Sequence, residues 1–179
     1  MRLRIAYGLV NRLFHIGVVS FYNEPVGESL QCSEPRAWGG VMILIDTCYL
    51  VALINRKDAL HEESTTLARG WEKSGQHLVT TDAVLIEFSN FFARSPLRAL
   101  ASSWQRRLRQ RLGGWTIERL TPQLIDRAEA RYAAHPDKTW SLTDCLSMEV
   151  MLDYSATQAA TADRHFGQAG FRVLLATSP

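Results

Sequence analysis

Cysteine is scarce in this chain: Cys32, Cys48 and Cys145 are the only three in 179 residues. An odd number with no C-x-x-C spacing argues against a disulfide framework and against a zinc site. Cys48 and Cys145 lie in apolar runs and read as buried, reduced thiols, which points to a cytoplasmic setting. There is no stretch of about 18 uninterrupted apolar residues, so no membrane span is expected. There is no internal repeat and no low-complexity tract. Strong net charge is missing too. The formal balance is +2 with a pI near 8.5, too mild to establish a nucleic-acid partner by itself.

What is present suits one soluble domain with a sizeable core, since 46% of residues are hydrophobic and 21% charged. Residues 1–41 stand apart. A mixed run, YGLVNRLFHIGVVSF, leads into a Pro/Gly/Ser-containing stretch that ends at Gly39-Gly40. Arg12 and His15 break its apolar part and no A-x-A site follows, against a signal peptide. Residues 1–41 are expected to be a poorly ordered extension or to precede the true start, and residues 42–179 to form the domain. Met42, directly before the first convincing strand, favours the second option.

From Met42 the pattern is regular. Short apolar runs at 42–46, 77–81, 115–120, 157–161 and 171–175 read as strands. Helical periodicity or capping signals mark 47–55, 59–73, the segment from Thr81 or Asp82 to about Arg94, 97–112, the segment that opens at Thr121-Pro122, and the run ahead of Met151. Ser141-x-x-Asp144 resembles a capping box for the last of these. Strands alternating with helices predict an α/β fold with a mostly parallel five-stranded sheet between two helical layers.

Four carboxylates occupy the junctions of this pattern: Asp46, Glu87, Asp144 and Asp163. In a strand-then-helix unit, the strand's carboxyl end and the next helix's amino end share one sheet edge, where ligands bind. All four acids map to that edge. Two charges about 5 Å apart at an effective dielectric near 20 repel by about 3 kcal/mol. A domain holds only about 5–15 kcal/mol of stability. A converging quartet therefore needs protons or a divalent cation, and oxygen donors suit Mg²⁺ or Mn²⁺. Singly, Asp144 could be a helix cap and Asp163 a turn former. Glu87, between Ile86 and Phe88, and Asp46, among Ile, Leu, Val and Cys, are harder to explain as ordinary surface acids.

At these residues the chain resembles the PIN domain, in particular the VapC-type toxin ribonucleases. ILIDTCYLVALIN resembles the family's opening strand and first Asp, and TTDAVLIEFSNFF its Glu-bearing helix. DKTWSLTDCLSMEVM and ATADRHFGQAGF are similar to the two later blocks. The resemblance spans about Met42 to Leu175. It implies a three-layer α/β/α PIN-like fold and Mg²⁺- or Mn²⁺-dependent endonucleolytic cleavage of RNA. It makes Asp46, Glu87, Asp144 and Asp163 the catalytic, metal-binding acids, with Thr161 as a supporting hydroxyl. It further implies a small antitoxin partner whose tail enters the groove, and a homodimer.

Nine arginines lie between Arg94 and Arg131 against three acids, Glu118, Asp126 and Glu129. A solvated helix face accounts for such a run; phosphate binding is the functional alternative. For RNA contact the candidates are Arg164, beside Asp163, and Arg94, Arg98 and Arg106. Trp140 reads as packing, with base stacking as its alternative. His165 reads as a structural hydrogen-bonding residue, with substrate contact as its alternative.

Other readings remain open: an RNA-processing PIN nuclease without an antitoxin, or a PIN module that binds without cutting. A haloacid-dehalogenase-like phosphatase wants a second Asp two residues after the first, where this chain has Cys48. A receiver domain wants paired acids near its start and a late Lys, and no Lys follows Lys138.

Overall fold

The computed structural model describes residues 41–110 and 114–175. All but the last residue of the expected 1–41 extension lies outside that range, as does Cys32. The strands are β1 (Ile43–Ile45), β2 (Leu78–Thr81), β3 (Trp115–Glu118), β4 (Gln158–Ala160) and β5 (Arg172–Val173). The helices are α1 (Thr47–Ile54), α2 (His61–Ser74), α3 (Asp82–Phe91), α4 (Arg98–Arg109), α5 (Pro122–Ala134), α6 (Leu142–Asp153) and α7 (Arg164–Gln168). The sheet order is β3-β2-β1-β4-β5 and every pairing is parallel. The expected sheet is present, and it is parallel throughout.

The pleat of β1 divides the core in two. Ile43 and Ile45 pack on one face with Leu50, Val84, Phe88 and Trp104. Met42 and Leu44 pack on the other with Leu124, Leu146, Met148 and Phe166. Successive strand side chains point to opposite faces, so a continuous apolar strand needs cover on both sides. Helices α1, α3 and α4 supply one cover, α5, α6 and α7 the other. The result is three layers, α/β/α. Trp71, Trp104 and Trp115 all join the first core.

Local chemistry sets the helix starts. Thr81, not Asp82, caps α3, its side chain accepting from the Val84 amide at 3.1 Å. Thr121 caps α5 in the same way, with Pro122 at the first helical position, where its missing N–H costs nothing. Helix α2 ends at Gly75, whose φ of 65° is the left-handed region that glycine enters freely. Helix α7, a short helix that begins directly after Asp163, has no counterpart in the sequence pattern.

Candidate metal centre

The chain runs from β1 outward to β2 and β3, then returns to place β4 and β5 on the other side of β1. The switch point therefore lies between β1 and β4, and the crevice beyond their carboxyl ends is where such a sheet binds ligands. Ile45 pairs with Ala160, so the residues that follow, Asp46 and Thr161, leave the sheet side by side. Thr161 Oγ1 donates to Asp46 Oδ2 at 2.7 Å. The same hydroxyl oxygen accepts the Asp163 amide at 3.0 Å. One fully buried threonine thus ties the first acid to the last. Cys48 backs this contact, its Sγ 3.2 Å from Thr161 Oγ1 and accepting the Ala162 amide at 3.3 Å.

Glu87 reaches the edge from the second turn of α3. Thr47 Oγ1 donates to Glu87 Oε2 at 2.9 Å, so the residue after Asp46 holds the second acid. Asp144 is the third residue of α6. Its Oδ2 accepts the Ser141 amide at 2.7 Å while Ser141 Oγ accepts the Asp144 amide at 3.0 Å. The capping box is real, and Asp144 faces the other acids as well. Asp163 caps α7, accepting the His165 amide at 2.8 Å.

Electrostatics link the group. Asp46 is 8% exposed. Burial, the largest cause, lifts its pKa from 3.8 to about 6, with the charges of Asp144 and Glu87 adding to the rise. Hydrogen bonds from Thr161 and from the Thr47 backbone oppose it. Burial likewise pushes the Cys48 thiol up to about 12, so Cys48 is a neutral hydrogen-bonding partner and no thiolate nucleophile.

Buried acids elsewhere are neutralised by the protein's own cations. Asp82 pairs with Arg109 at 2.7 Å and Arg119 at 3.1 Å. Glu149 pairs with Arg131 at 2.7 Å and Arg127 at 3.5 Å. Among the described residues no lysine or arginine pairs with Asp46, Glu87, Asp144 or Asp163. Carboxylates gathered on one sheet edge without a lysine or arginine among them are the donor set of a hard divalent ion. The carboxylate oxygens of Asp144 and Asp163 and a ring nitrogen of His165 all lie within 4.8 Å of one another.

His165 makes the structural hydrogen-bond contact expected of it, Nε2 to Thr139 Oγ1 at 2.9 Å, and its ring also lies beside Asp144 and Asp163. The available signal was the N-cap at Asp163, which folds the residue two positions on back against the capping carboxylate. Thr47 and Cys48 give no signal beyond helix start and buried thiol. Arg94, Arg98, Arg106 and Arg164 are exposed, and among the described residues none is ion-paired to a site acid; Arg98 donates to the Ala93 carbonyl at 3.3 Å. Trp140 packs as expected, its ring nitrogen donating to Gln168 Oε1 at 3.1 Å and its face against His135.

Comparison with known proteins bears on the fold. A family model described as PIN domain matches residues 43–172. The fold resembles that of VapC20 from Mycobacterium tuberculosis, a sarcin-ricin loop cleaving toxin. That match has 24% identity and a TM-score of 0.65, covering 74% of this chain and 98% of the other. It also resembles VapBC2 from Rickettsia felis, solved with a DNA fragment from its promoter. Here identity is 14% and the TM-score 0.56, covering 74% and 97%. No curated protein matches the sequence.

Proposed function

The chain belongs to the PIN domain family, and on that premise we propose that it is a divalent-metal-dependent endoribonuclease, the toxin of a toxin–antitoxin pair. The observation that carries the reading is the contrast between two sets of buried or half-buried acids. Asp82 and Glu149 each have two arginines, while among the described residues no arginine pairs with the four acids at the switch point.

Asp46 and Asp144 are the direct ligands in this reading. Glu87, held by Thr47, and Asp163, held through Thr161, complete the site as ligands or by orienting the attacking water. A bound Mg²⁺ or Mn²⁺ supplies Lewis-acid polarisation of the phosphodiester and a more acidic water. Thr161 fixes the Asp46 carboxylate, and the Thr47 hydroxyl fixes Glu87. Both remove rotamer freedom before substrate arrives. An all-acid site repels RNA, so flanking cations are needed; Arg164 adjoins Asp163, with Arg94, Arg98 and Arg106 as further candidates.

RNA as substrate is supported by the likeness to VapC20, and an antitoxin partner by the likeness to VapBC2. Exposed Ile86 and Phe91 on α3 offer apolar surface for a homodimer. No helix among the described residues is long and apolar enough to cross a membrane, and the cytoplasm is the compartment this function requires. Residues 42–179 carry the activity, without a contribution from 1–41.

The test is brief induced expression in a bacterial host, followed by mapping of RNA 5′ ends. The reading predicts growth arrest and discrete new ends, both absent with Asp144→Asn. Arrest with an unchanged RNA population would overturn it.

A further inference from the structure

We propose that His165 is a nitrogen ligand of the metal centre, acting through Nδ1 beside Asp144 and Asp163, and that it shifts the site's preference from Mg²⁺ toward Mn²⁺. This inference rests on the metal-centre reading and adds a donor of different chemistry to its four acids.

His165 Nδ1 lies 3.2 Å from Asp163 Oδ1 and 3.4 Å from Asp144 Oδ2. The atom is buried, yet it makes no hydrogen bond to either oxygen. The imidazole's other nitrogen is engaged, with Nε2 2.9 Å from Thr139 Oγ1. The backbone beneath the ring is held as well, by the His165 amide donating to Asp163 Oδ1 at 2.8 Å. With the proton on Nε2 donated to Thr139, Nδ1 turns a lone pair toward two carboxylate oxygens. Three electron-rich atoms then converge on one small volume, an arrangement relieved by a proton on Nδ1 or by a cation among them, and the two contacts lack hydrogen-bond geometry for the proton.

Two features match a coordinated ion. Cis ligands on an octahedral ion at about 2.1 Å stand roughly 3 Å apart, close to the two nitrogen–oxygen separations. A metal-bound imidazole ordinarily donates its second N–H to an oxygen acceptor, which fixes its tautomer and ring orientation. Thr139 holds that place. The nitrogen also has a consequence for selectivity. Mg²⁺ and Mn²⁺ both favour oxygen donors, but Mn²⁺, a first-row transition ion, accepts an imidazole nitrogen more readily than Mg²⁺ does. Replacing one oxygen position by Nδ1 therefore gains affinity for Mn²⁺ relative to Mg²⁺.

The experiment uses the full chain with Mn²⁺ and Mg²⁺ as the probes. Pulsed EPR reads the ¹⁴N coupling of a directly bound imidazole, and calorimetry gives Mn²⁺ and Mg²⁺ dissociation constants. The variants are His165→Gln, Thr139→Val and Asp144→Asn. The inference predicts ¹⁴N coupling in the wild type that His165→Gln abolishes. It predicts Mn²⁺ affinity about tenfold or more weaker in His165→Gln, with a smaller loss for Mg²⁺. Thr139→Val weakens Mn²⁺ binding by a lesser factor. Mn²⁺ bound to the wild type with no such coupling overturns the inference, and needs no variant to fold. So does an equal loss of both ions in His165→Gln. If Asp144→Asn binds Mn²⁺ as well as the wild type, the metal-centre reading itself fails. If Asp144→Asn loses the ion and His165→Gln does not, only the histidine ligand is lost.

Discussion

Thr161 donates a 2.7 Å hydrogen bond to the Asp46 carboxylate across 115 residues of sequence. The contact follows from sheet register, because Ile45 and Ala160 are paired and the next residue of each strand enters the crevice. Through the Asp163 amide the same hydroxyl also fixes the last acid. Replacing it with an isosteric methyl, Thr161→Val, leaves Asp46 buried with one fewer donor. A hydrogen bond to a charged group contributes about 1.5–3 kcal/mol. Metal affinity is therefore predicted to fall by about tenfold or more, with the fold retained. Calorimetric metal titration of wild type and variant checks this, and equal affinities would contradict it.

The Asp46 carboxyl, lifted from 3.8 to about 6 mainly by burial, makes the metal-free protein sensitive to pH. Between about pH 4 and pH 6 the folded state holds a proton that the unfolded chain has released. Stability attributable to this group therefore falls as pH rises through that window. The loss is on the order of 2–3 kcal/mol, complete above the folded pKa. In chelator, the stability difference between Asp46→Asn and wild type should grow from pH 4 to pH 7 in favour of the variant. Saturating Mn²⁺ should reverse it at pH 7. Urea denaturation at each pH reads both, and a difference independent of pH would contradict the assignment.

Asp82 lies on the same sheet edge but is neutralised by Arg109 and Arg119. Asp82→Asn is predicted to lower stability by about 1–2 kcal/mol, a discounted figure because both arginines are partly solvated. Its metal affinity and cleavage should match the wild type. Denaturant midpoints and metal titration on one preparation separate the two effects, and loss of metal binding would place Asp82 in the centre.

Arg164, exposed beside Asp163, is expected to contact phosphate. For single-stranded RNA, each such contact contributes about 0.7 to the slope of log affinity against log salt concentration. Arg164→Ala should lower that slope by about this amount without altering metal affinity. Binding isotherms at several salt concentrations measure it, and an unchanged slope would remove Arg164 from the interface.

The layer order and the acids at the strand ends were legible because each rests on local chemistry. An apolar run of three to five residues needs cover on both faces, and Thr81, Thr121 and Ser141 announce helix starts. How close Asp46, Glu87, Asp144 and Asp163 come to one another depends on register and strand order, which no local window carries. His165 was harder still. Its role depends on a cap that turns the chain within two residues and on Thr139, 26 positions upstream. Helix α7 was invisible because five residues show no periodicity. The arginines of α4 and α5 looked like one basic surface. In the structure Arg109, Arg127 and Arg131 are engaged by Asp82, Glu149 and Asp153, partners that charge counting along the chain cannot assign.

The most direct measurement is cleavage of a defined RNA by purified wild-type protein and by Asp46→Asn, each with Mn²⁺ and with excess chelator. The wild type with metal should cut at discrete positions, while the other three conditions fall at least about a hundredfold lower, the scale on which loss of a transition-state electrostatic contact is felt. Undiminished cutting in chelator, or by Asp46→Asn, would contradict a reaction that depends on an ion held by these carboxylates.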